Sequence, residues 1–154
     1  MNKPVVSTNL CLIRKGDLVL LAMKKRGFGE GKWNGYGGKV LPGETMEECL
    51  VREVKEESGL TIGNFKKVGF LTFDNADRIV DMDVFEAFDF TGELVETEEM
   101  APRWFSKEDL PWKEMWPSDP LWYPYFFEGK SFKGEVIFDE NHTILHADIK
   151  EAGI

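Results

Sequence analysis

The segment 38–60, GKVLPGETMEECLVREVKEESGL, constrains the fold most strongly because it marks both ends of one helix. Thr45 is a favourable N-cap residue, and Glu48 three residues later completes a capping box. Gly59 lies where a left-handed C-cap would end a helix, and apolar residues recur between the two ends at helical spacing. The sequence therefore predicts a helix over 46–58, preceded by a loop that contains glycine and proline.

Three acidic residues of this helix lie on an unusual side. At about 100° per residue, Glu53, Glu56 and Glu57 fall on the apolar half, whereas Arg52 falls on the opposite half. Two like charges 4 Å apart in a cleft repel by about 4 kcal/mol at an effective dielectric constant near 20. A cation is therefore expected among them, and carboxylates that leave room for water and phosphate favour Mg²⁺. The alternative is an ordinary solvated helix face.

The spacing of the same segment resembles the signature of the Nudix hydrolase family. Gly38 is followed after five residues by Glu44, and after seven more by REVKEESGL at 52–60, so every fixed position is present. The resemblance continues in MKKRGFG at 23–29, WNGYGGK at 33–39 and MWP at 115–117, which are similar to the family branch that hydrolyses oxidised purine nucleotides. It implies one domain over 1–154 with an α+β Nudix fold, an α/β/α sandwich around a mixed β-sheet.

The resemblance also implies a reaction and a set of catalytic residues. Oxidised purine nucleoside triphosphates such as 8-oxo-dGTP and 2-hydroxy-dATP would give a monophosphate and pyrophosphate, which sanitises the nucleotide pool. Mg²⁺ is the expected cofactor, with Mn²⁺ as a substitute. The implied metal ligands are Glu53, Glu56, Glu57, Glu99 and the backbone of Gly37, while Glu44 and Arg52 brace loop against helix. The base that activates water is either Glu56 or Glu99.

A pocket for the purine base is implied by the same resemblance. Its expected residues are Asn9, Lys24, Phe28, Asn34, Tyr36, Gly37, Gly38, Lys39, Met82, Trp116, Pro117, Ser118 and Asp119. The family usually carries two adjacent acids after Trp-Pro, but here Ser118 replaces the first and Asp119 matches the second. Paired carboxyls can share a proton, whereas a serine hydroxyl donates and accepts with shorter reach and no charge. We expect the range of oxidised purines to depend on this substitution.

Apolar segments bounded by turns predict the remaining elements. Strands are expected at 5–13, 18–23, 33–39, 66–73, 79–88, 134–138 and 143–149, with turns at 74–77 and 91–93. A second helix is predicted with Asp119 as N-cap, disturbed by Pro124 and directing Leu121, Trp122, Tyr125 and Phe126 inward. His142 and His146 are assigned a structural role on an edge strand, because neither has an acid or cysteine at metal-ligand spacing.

Composition limits the partners and the compartment. The net charge of −9 argues against a nucleic-acid polymer as ligand. Residues 1–40 are basic and 41–154 are acidic, which suits a small nucleotide held between a basic loop and a metal-loaded helix. No apolar stretch reaches the roughly 20 residues of a membrane span, and Cys11 and Cys49 lack disulfide or metal spacing. A cytoplasmic monomer is expected, with the nucleus or mitochondrion as further compartments in a eukaryote.

Two other functions are compatible with part of this pattern. A general nucleoside di- or triphosphate pyrophosphohydrolase would keep the chemistry without selecting oxidised bases. A non-catalytic nucleotide-binding module would be expected to carry a broken signature, whereas here the signature is intact.

Overall fold

The computed structural model describes residues 2–154, so Met1 of the predicted domain lies outside the described residues. The strands are β1 (Val5–Lys15), β2 (Leu18–Lys24), β3 (Trp33–Asn34), β4 (Leu60–Ile62), β5 (Phe65–Asp74), β6 (Ile79–Ala87), β7 (Phe90–Gly92), β8 (Met100–Ser106), β9 (Phe132–Phe138) and β10 (Ile144–Glu151). The helices are α1 (Met46–Ser58) and α2 (Asp119–Phe127). Short 3₁₀ turns at Lys107–Asp109 and Trp112–Glu114 lead into α2.

These described residues form one mixed sheet and one small ribbon. The main sheet has eight strands in the order β10-β9-β5-β6-β1-β2-β3, and β8 also pairs with β2. β1 runs parallel to β6 and β5 runs parallel to β9, while the other pairs are antiparallel. β4 and β7 form the separate two-stranded ribbon. The predicted α+β class with a mixed sheet is confirmed.

Both faces of the sheet are buried because a helix packs on each one. Successive side chains of a strand point to opposite faces, so Leu10 and Leu12 of β1 pack with Trp122 and Phe126 of α2. Cys11 and Ile13, the alternate residues, pack with Leu50 and Val54 of α1. This arrangement is the predicted α/β/α sandwich. Within residues 2–154, none of the helices combines the length and apolarity needed to traverse a bilayer.

Helix α1 begins and ends where the sequence predicts. The backbone N–H of Glu48 donates to Thr45 Oγ1 at 3.1 Å, and the N–H of Thr45 donates to Glu48 Oε1 at 2.9 Å, which completes the capping box. Gly59 has a φ of 83°, the left-handed conformation that glycine adopts without steric cost. The capping box therefore fixes the position at which the preceding loop joins α1.

Most predicted strands are confirmed, but the prediction of a turn at 91–93 is wrong. Thr91 and Gly92 belong to β7, which pairs with β4 directly after α1. A three-residue strand in a two-stranded ribbon leaves little periodicity in the sequence, so turn-forming residues dominated the prediction. The strand expected at 33–39 is regular only at Trp33–Asn34, with isolated bridges from Tyr36 and Lys39 to β1.

Helix α2 differs from the prediction in three respects. Its N-cap is Ser118, so Asp119 is already helical, and the helix continues through Pro124 to Phe127. Leu121 is exposed, whereas Tyr123 is fully buried with Trp122 and Phe126. The segment DPLWYPYFF is apolar almost all round, so its periodicity could not identify the inward face.

Candidate functional site

The acids of α1 differ in burial. The side chain of Glu53 is 19% exposed and that of Glu56 is 59% exposed, while Glu57 is half-buried. The prediction that all three face the protein is therefore wrong for Glu56. Arg52, which was predicted on the opposite half, is 27% exposed and bends back over the acids. A long guanidinium side chain can reach a neighbouring face that its Cα does not occupy.

Arg52 joins the glycine-containing loop to the helix. Its Nε and Nη2 donate to the two carboxylate oxygens of Glu44 at 2.6 and 3.0 Å, a bidentate geometry. Its Nη1 also donates to Glu53 at 2.9 Å and to Glu56 at 3.2 Å. The bonds from Arg52, followed by the Leu41 amide, lower the pKa of Glu44 to about 2. These contacts match the bracing role expected for Glu44 and Arg52.

Glu57 is the acid whose environment is most unusual. Within residues 2–154, its Oε1 is buried without a hydrogen-bond partner. Burial, and then the charge of Glu53, raise the pKa of Glu57 to about 7, although the Gly37 backbone and Lys24 oppose the shift. A buried carboxylate oxygen without a partner is costly unless a cation or donor completes it. Glu57 therefore offers a ready ligand atom.

A small acidic pocket surrounds this group. Its volume is about 380 Å³, and it is lined by Arg26, Glu53, Glu56, Glu57, Thr97, Glu98 and Glu99. Glu99 comes from the segment between β7 and β8, and Lys24 donates to its Oε2 at 3.3 Å. This bond and the charge of Lys24 lower the pKa of Glu99. The pocket thus brings together all four acids predicted as metal ligands.

The donor set is of the kind that a hard divalent cation prefers, carboxylate oxygens that line one pocket. In the described part of the chain, no three His, Cys, Asp or Glu side chains are gathered closely enough to hold a metal ion as they stand. Arg52 is paired with Glu53 and Glu56, and Lys24 is paired with Glu99, so these three carboxylates contact cationic side chains instead. A Cβ at Gly38 would lie 2.6 Å from Glu53 Cδ, so glycine there leaves the space that the carboxylate needs. Oxygen ligands of this kind suit Mg²⁺.

A larger pocket of about 630 Å³ adjoins the acidic one, in the size range of small-molecule sites. Of the predicted base-pocket residues, those that line it are Asn9, Lys24, Phe28, Asn34, Gly37, Gly38, Lys39, Met82, Trp116, Ser118 and Asp119. Two predictions are corrected, because Tyr36 and Pro117 line neither the larger pocket nor the acidic one. Tyr36 points into the core beneath α1, and Pro117 is exposed to solvent.

Asn9 of β1 fixes the glycine backbone that lines the larger pocket beside Asn9 itself. The Asn9 side chain is 3% exposed, its Oδ1 accepts from the Gly38 N–H at 3.2 Å, and its Nδ2 donates to Met46 Sδ at 3.5 Å. A Cβ at Gly37 would collide with the Asn9 carbonyl. The pair of glycines is therefore required for this close approach of loop and strand.

The inner end of the larger pocket carries Ser118 and Asp119, which are 2% and 4% exposed. The backbone N–H of Trp116 donates to Asp119 Oδ2 at 3.2 Å. Burial raises the pKa of Asp119 to about 8, with smaller opposing effects from Trp116, Trp122 and Lys32. At neutral pH the Asp119 carboxyl is therefore largely protonated, and it can both donate and accept a hydrogen bond.

An aromatic pair forms the outer wall of this pocket. The rings of Phe28 and Trp116 stack with centroids 5.3 Å apart, and Lys32 Nζ lies 5.3 Å from the Trp116 ring. Phe28 is 76% exposed, an unusual exposure for a large apolar side chain next to a pocket. Such flat apolar surfaces bind planar heterocycles.

Two turns that the sequence did not connect with the site complete the rim. The turn between β5 and β6 and the turn between β9 and β10 contribute Asn75, Ala76, Asp77, Arg78, Asp139, Glu140 and His142. The assignment of His142 to an edge strand is wrong, since it lies in the turn before β10; His146 is in β10 as predicted. The parallel pairing of β5 and β9 brings these turns together, and that long-range pairing has no local signal in the sequence.

Comparison with known proteins defines the class to which this fold and site belong. The family model of the NUDIX domain matches residues 3–126. The chain therefore belongs to the Nudix family and is a Nudix hydrolase, an enzyme class that generally requires a divalent cation.

Similar individual proteins narrow this further. The oxidized purine nucleoside triphosphate hydrolases of Mus musculus and Danio rerio are each 42% identical over 144 residues, which cover 92% of this chain and 92% of the relative. The MutT protein of Bacillus halodurans has the same fold, with a TM-score of 0.83 over 94% of this chain and 97% of its own, at 22% identity. The MutT NUDIX hydrolase of Burkholderia pseudomallei, at 27% identity, has a TM-score of 0.67 over 71% of this chain and 88% of its own.

Proposed function

We propose that this protein is an Mg²⁺-dependent pyrophosphohydrolase that converts oxidised purine nucleoside triphosphates to monophosphate and pyrophosphate. The named activity of the mouse and zebrafish relatives and the intact signature at 38–60 support this proposal. A small nucleotide is the substrate, Mn²⁺ is a substitute for Mg²⁺, and the protein acts as a single-domain monomer in the cytoplasm.

One observation carries the proposal: Glu57 lines both pockets. A ligand whose flat base lies against Trp116 and whose charged tail reaches the acids must pass this residue. A nucleoside polyphosphate has these two parts, an apolar heterocycle and an anionic chain that a divalent cation can link to carboxylates.

The four acids differ in burial. All of them would hold the cation together with the Gly37 backbone, Glu53 and Glu57 being the more buried pair. The chemistry that Mg²⁺ supplies when bound is charge neutralisation at phosphoryl oxygens and a lowered pKa for the attacking water. Glu56 or Glu99, whose side chains are 59% and 48% exposed, accepts the proton of that water. Lys24 and Arg26, released from Glu99, neutralise phosphate.

Selection of an oxidised purine is assigned to Asp119 with Ser118 and Asn34. The protonated Asp119 carboxyl donates to an acceptor on the purine edge and accepts from a ring N–H. Ser118 supplies a second donor and acceptor, because within residues 2–154 its side chain makes no capping bond to α2. The neutral state of Asp119 avoids a buried negative charge against the base.

A panel of substrates tests the proposal. Rates would be measured with Mg²⁺ on 8-oxo-dGTP, 2-hydroxy-dATP, dGTP and dATP, and the products would be identified as monophosphate and pyrophosphate. We expect kcat/KM to be highest for an oxidised purine. Equal values for oxidised and normal purines would instead support a general nucleoside triphosphate pyrophosphohydrolase. Turnover that is unchanged in both Glu56→Gln and Glu57→Gln would contradict hydrolysis at the acidic pocket and leave nucleotide binding as the function.

A further inference from the structure

His142 lies at the mouth of the larger pocket, in the turn between β9 and β10. Its φ of 60° makes it the only non-glycine residue with positive φ among residues 2–154. The turn is held by Asp139, whose Oδ1 accepts from the N–H groups of Asn141 and Thr143 at 2.8 and 2.9 Å. The N–H of His142 donates to the Asp139 carbonyl at 3.1 Å. These bonds fix the direction in which the imidazole leaves the backbone.

The imidazole contacts both members of the aromatic pair. Its ring centroid is 5.7 Å from that of Phe28 and 5.7 Å from that of Trp116, with interplanar angles of 64° and 69°. It also lies 6.3 Å from the Phe138 ring. Edge-to-face pairs at these distances are favourable beyond the area they bury. Three rings from three separate segments thus form one aromatic mouth, composed of Phe28, Trp116 and His142.

A purely structural role does not explain this cluster. Glycine adopts positive φ most readily, and asparagine and aspartate tolerate it as histidine does, so the turn alone does not require an imidazole. The aromatic mouth is also not part of the core, because Phe28 remains 76% exposed and His142 is half-buried. Its rings therefore have surface left for a ligand, and all three line the larger pocket.

We propose that His142 is a base-binding residue, the third wall of the pocket that holds the purine. This inference rests on the proposed function and extends it to a residue outside the signature. The imidazole edge packs against the Phe28 and Trp116 rings and contacts the outer edge of a flat heteroaromatic base. The ligand class that this mouth recognises is a planar, fused heterocycle carried by a nucleotide, whose phosphates point away toward Glu57.

Two variants separate ring contact from turn geometry. His142→Asn keeps a residue that tolerates positive φ but removes the ring, and His142→Phe keeps a ring without its nitrogen atoms. The matched control is His146→Asn, which makes the same change on β10, outside the pocket lining. Binding of 8-oxo-dGMP without metal would be measured by calorimetry and by Trp fluorescence, together with kcat, KM and thermal unfolding.

We expect His142→Asn to raise the Kd for 8-oxo-dGMP and the KM by about 2- to 12-fold, the range for one aromatic contact. Its kcat should stay within about twofold of the wild-type value, because the acids are untouched. His142→Phe should bind more tightly than His142→Asn, although a bulky side chain at a φ of 60° should lower its Tm. His146→Asn should bind as the wild type does. Wild-type affinity in His142→Asn would overturn the inference. Binding by His142→Phe that is no tighter than that by His142→Asn would also overturn it in favour of a structural turn. If the wild-type protein neither binds 8-oxo-dGMP nor hydrolyses its triphosphate, the proposed function itself fails.

Discussion

At the scale of single residues, Glu57 and Asp119 share one property: each is a carboxyl whose pKa burial raises toward or above neutrality. Their consequences differ because their neighbours differ. Glu57 adjoins other acids and has an oxygen without a partner among residues 2–154, so a cation satisfies it. Asp119 accepts a hydrogen bond from a backbone N–H and faces an apolar pocket, so its carboxyl is stabilised by protonation.

Glu57→Gln tests the first of these two residues. We expect kcat/KM to fall at least about 100-fold, beyond the 10- to 100-fold typical of an outer-sphere change, because a metal ligand is lost. The Tm at pH 8 should be equal or higher, since a neutral amide removes a buried charge. Steady-state kinetics and thermal unfolding would be measured. Glu47→Gln, the same change at an exposed position of α1, is the control, and a similar loss there would contradict the prediction.

Ser118 should determine which oxidised purine nucleotides the enzyme hydrolyses efficiently. In Ser118→Asp, two adjacent carboxyls can share one proton, and the pair can present a donor or an acceptor to either base. We therefore compare kcat/KM for 8-oxo-dGTP with kcat/KM for 2-hydroxy-dATP and expect their ratio to approach one. The change in this ratio should be about 2- to 12-fold, which corresponds to the free energy of one hydrogen bond. Ser118→Ala removes the hydroxyl without adding charge and serves as the comparison. A ratio that is the same in all three proteins would show that position 118 does not select the base.

At the scale of elements, the loop before α1 depends on the helix that follows it. Glu44 lies in the loop, Arg52 lies in the helix, and their bidentate pair joins the two. Arg52 also donates a hydrogen bond to Glu53, so the position of the loop affects the position of this carboxylate in the acidic pocket. The pKa of Glu44, lowered to about 2, keeps this pair ionised throughout the physiological range.

Glu44→Gln should therefore weaken metal binding without removing a ligand. We expect the Mg²⁺ concentration that gives half-maximal activity to rise about 10- to 100-fold, as for other partners that orient ligands. The KM measured at saturating Mg²⁺ should change little. Activity would be titrated with Mg²⁺ for the wild type, Glu44→Gln and the control Glu47→Gln. An unchanged Mg²⁺ requirement would mean that the brace does not orient the acids.

Local signals predicted α1 and its caps because every determinant lies within 15 residues of chain. The strands around the core were predicted for the same reason, since the alternation of Leu10, Cys11, Leu12 and Ile13 is visible in one segment. The errors have a different origin. Arg52 turned toward the acids because the partner of its guanidinium, Glu44, is in another element. His142 reached the pocket through the pairing of β5 with β9, which depends on residues more than 60 positions apart.

At the scale of the whole molecule, burial of carboxyls links the site to stability. Asp119 has a pKa near 8 in the folded chain and about 4 when unfolded. Between these values the folded state binds more protons than the unfolded state, so the free energy of unfolding falls as pH rises. The raised pKa values of Glu57, Glu53 and Glu86 act in the same direction.

Asp119→Asn should flatten this dependence. The amide can still accept from the Trp116 N–H but has no charge to bury, so the variant should gain stability relative to the wild type as pH rises from about 5 to 9. Urea unfolding would be measured at unit intervals of pH over that range. The difference should be smallest at pH 5 and largest at pH 9. Parallel stability curves for the two proteins would contradict a raised pKa at Asp119.

The rim of the larger pocket has an evolutionary consequence. The tips of two hairpins complete this rim beside the aromatic pair, whereas the acids are held by α1 and the segment before β8. Insertions or exchanges at hairpin tips disturb a sheet little, because the paired strands behind them are unchanged. A lineage can therefore acquire new substrates by remodelling residues 75–78 and 139–142 while its hydrolytic chemistry is inherited intact.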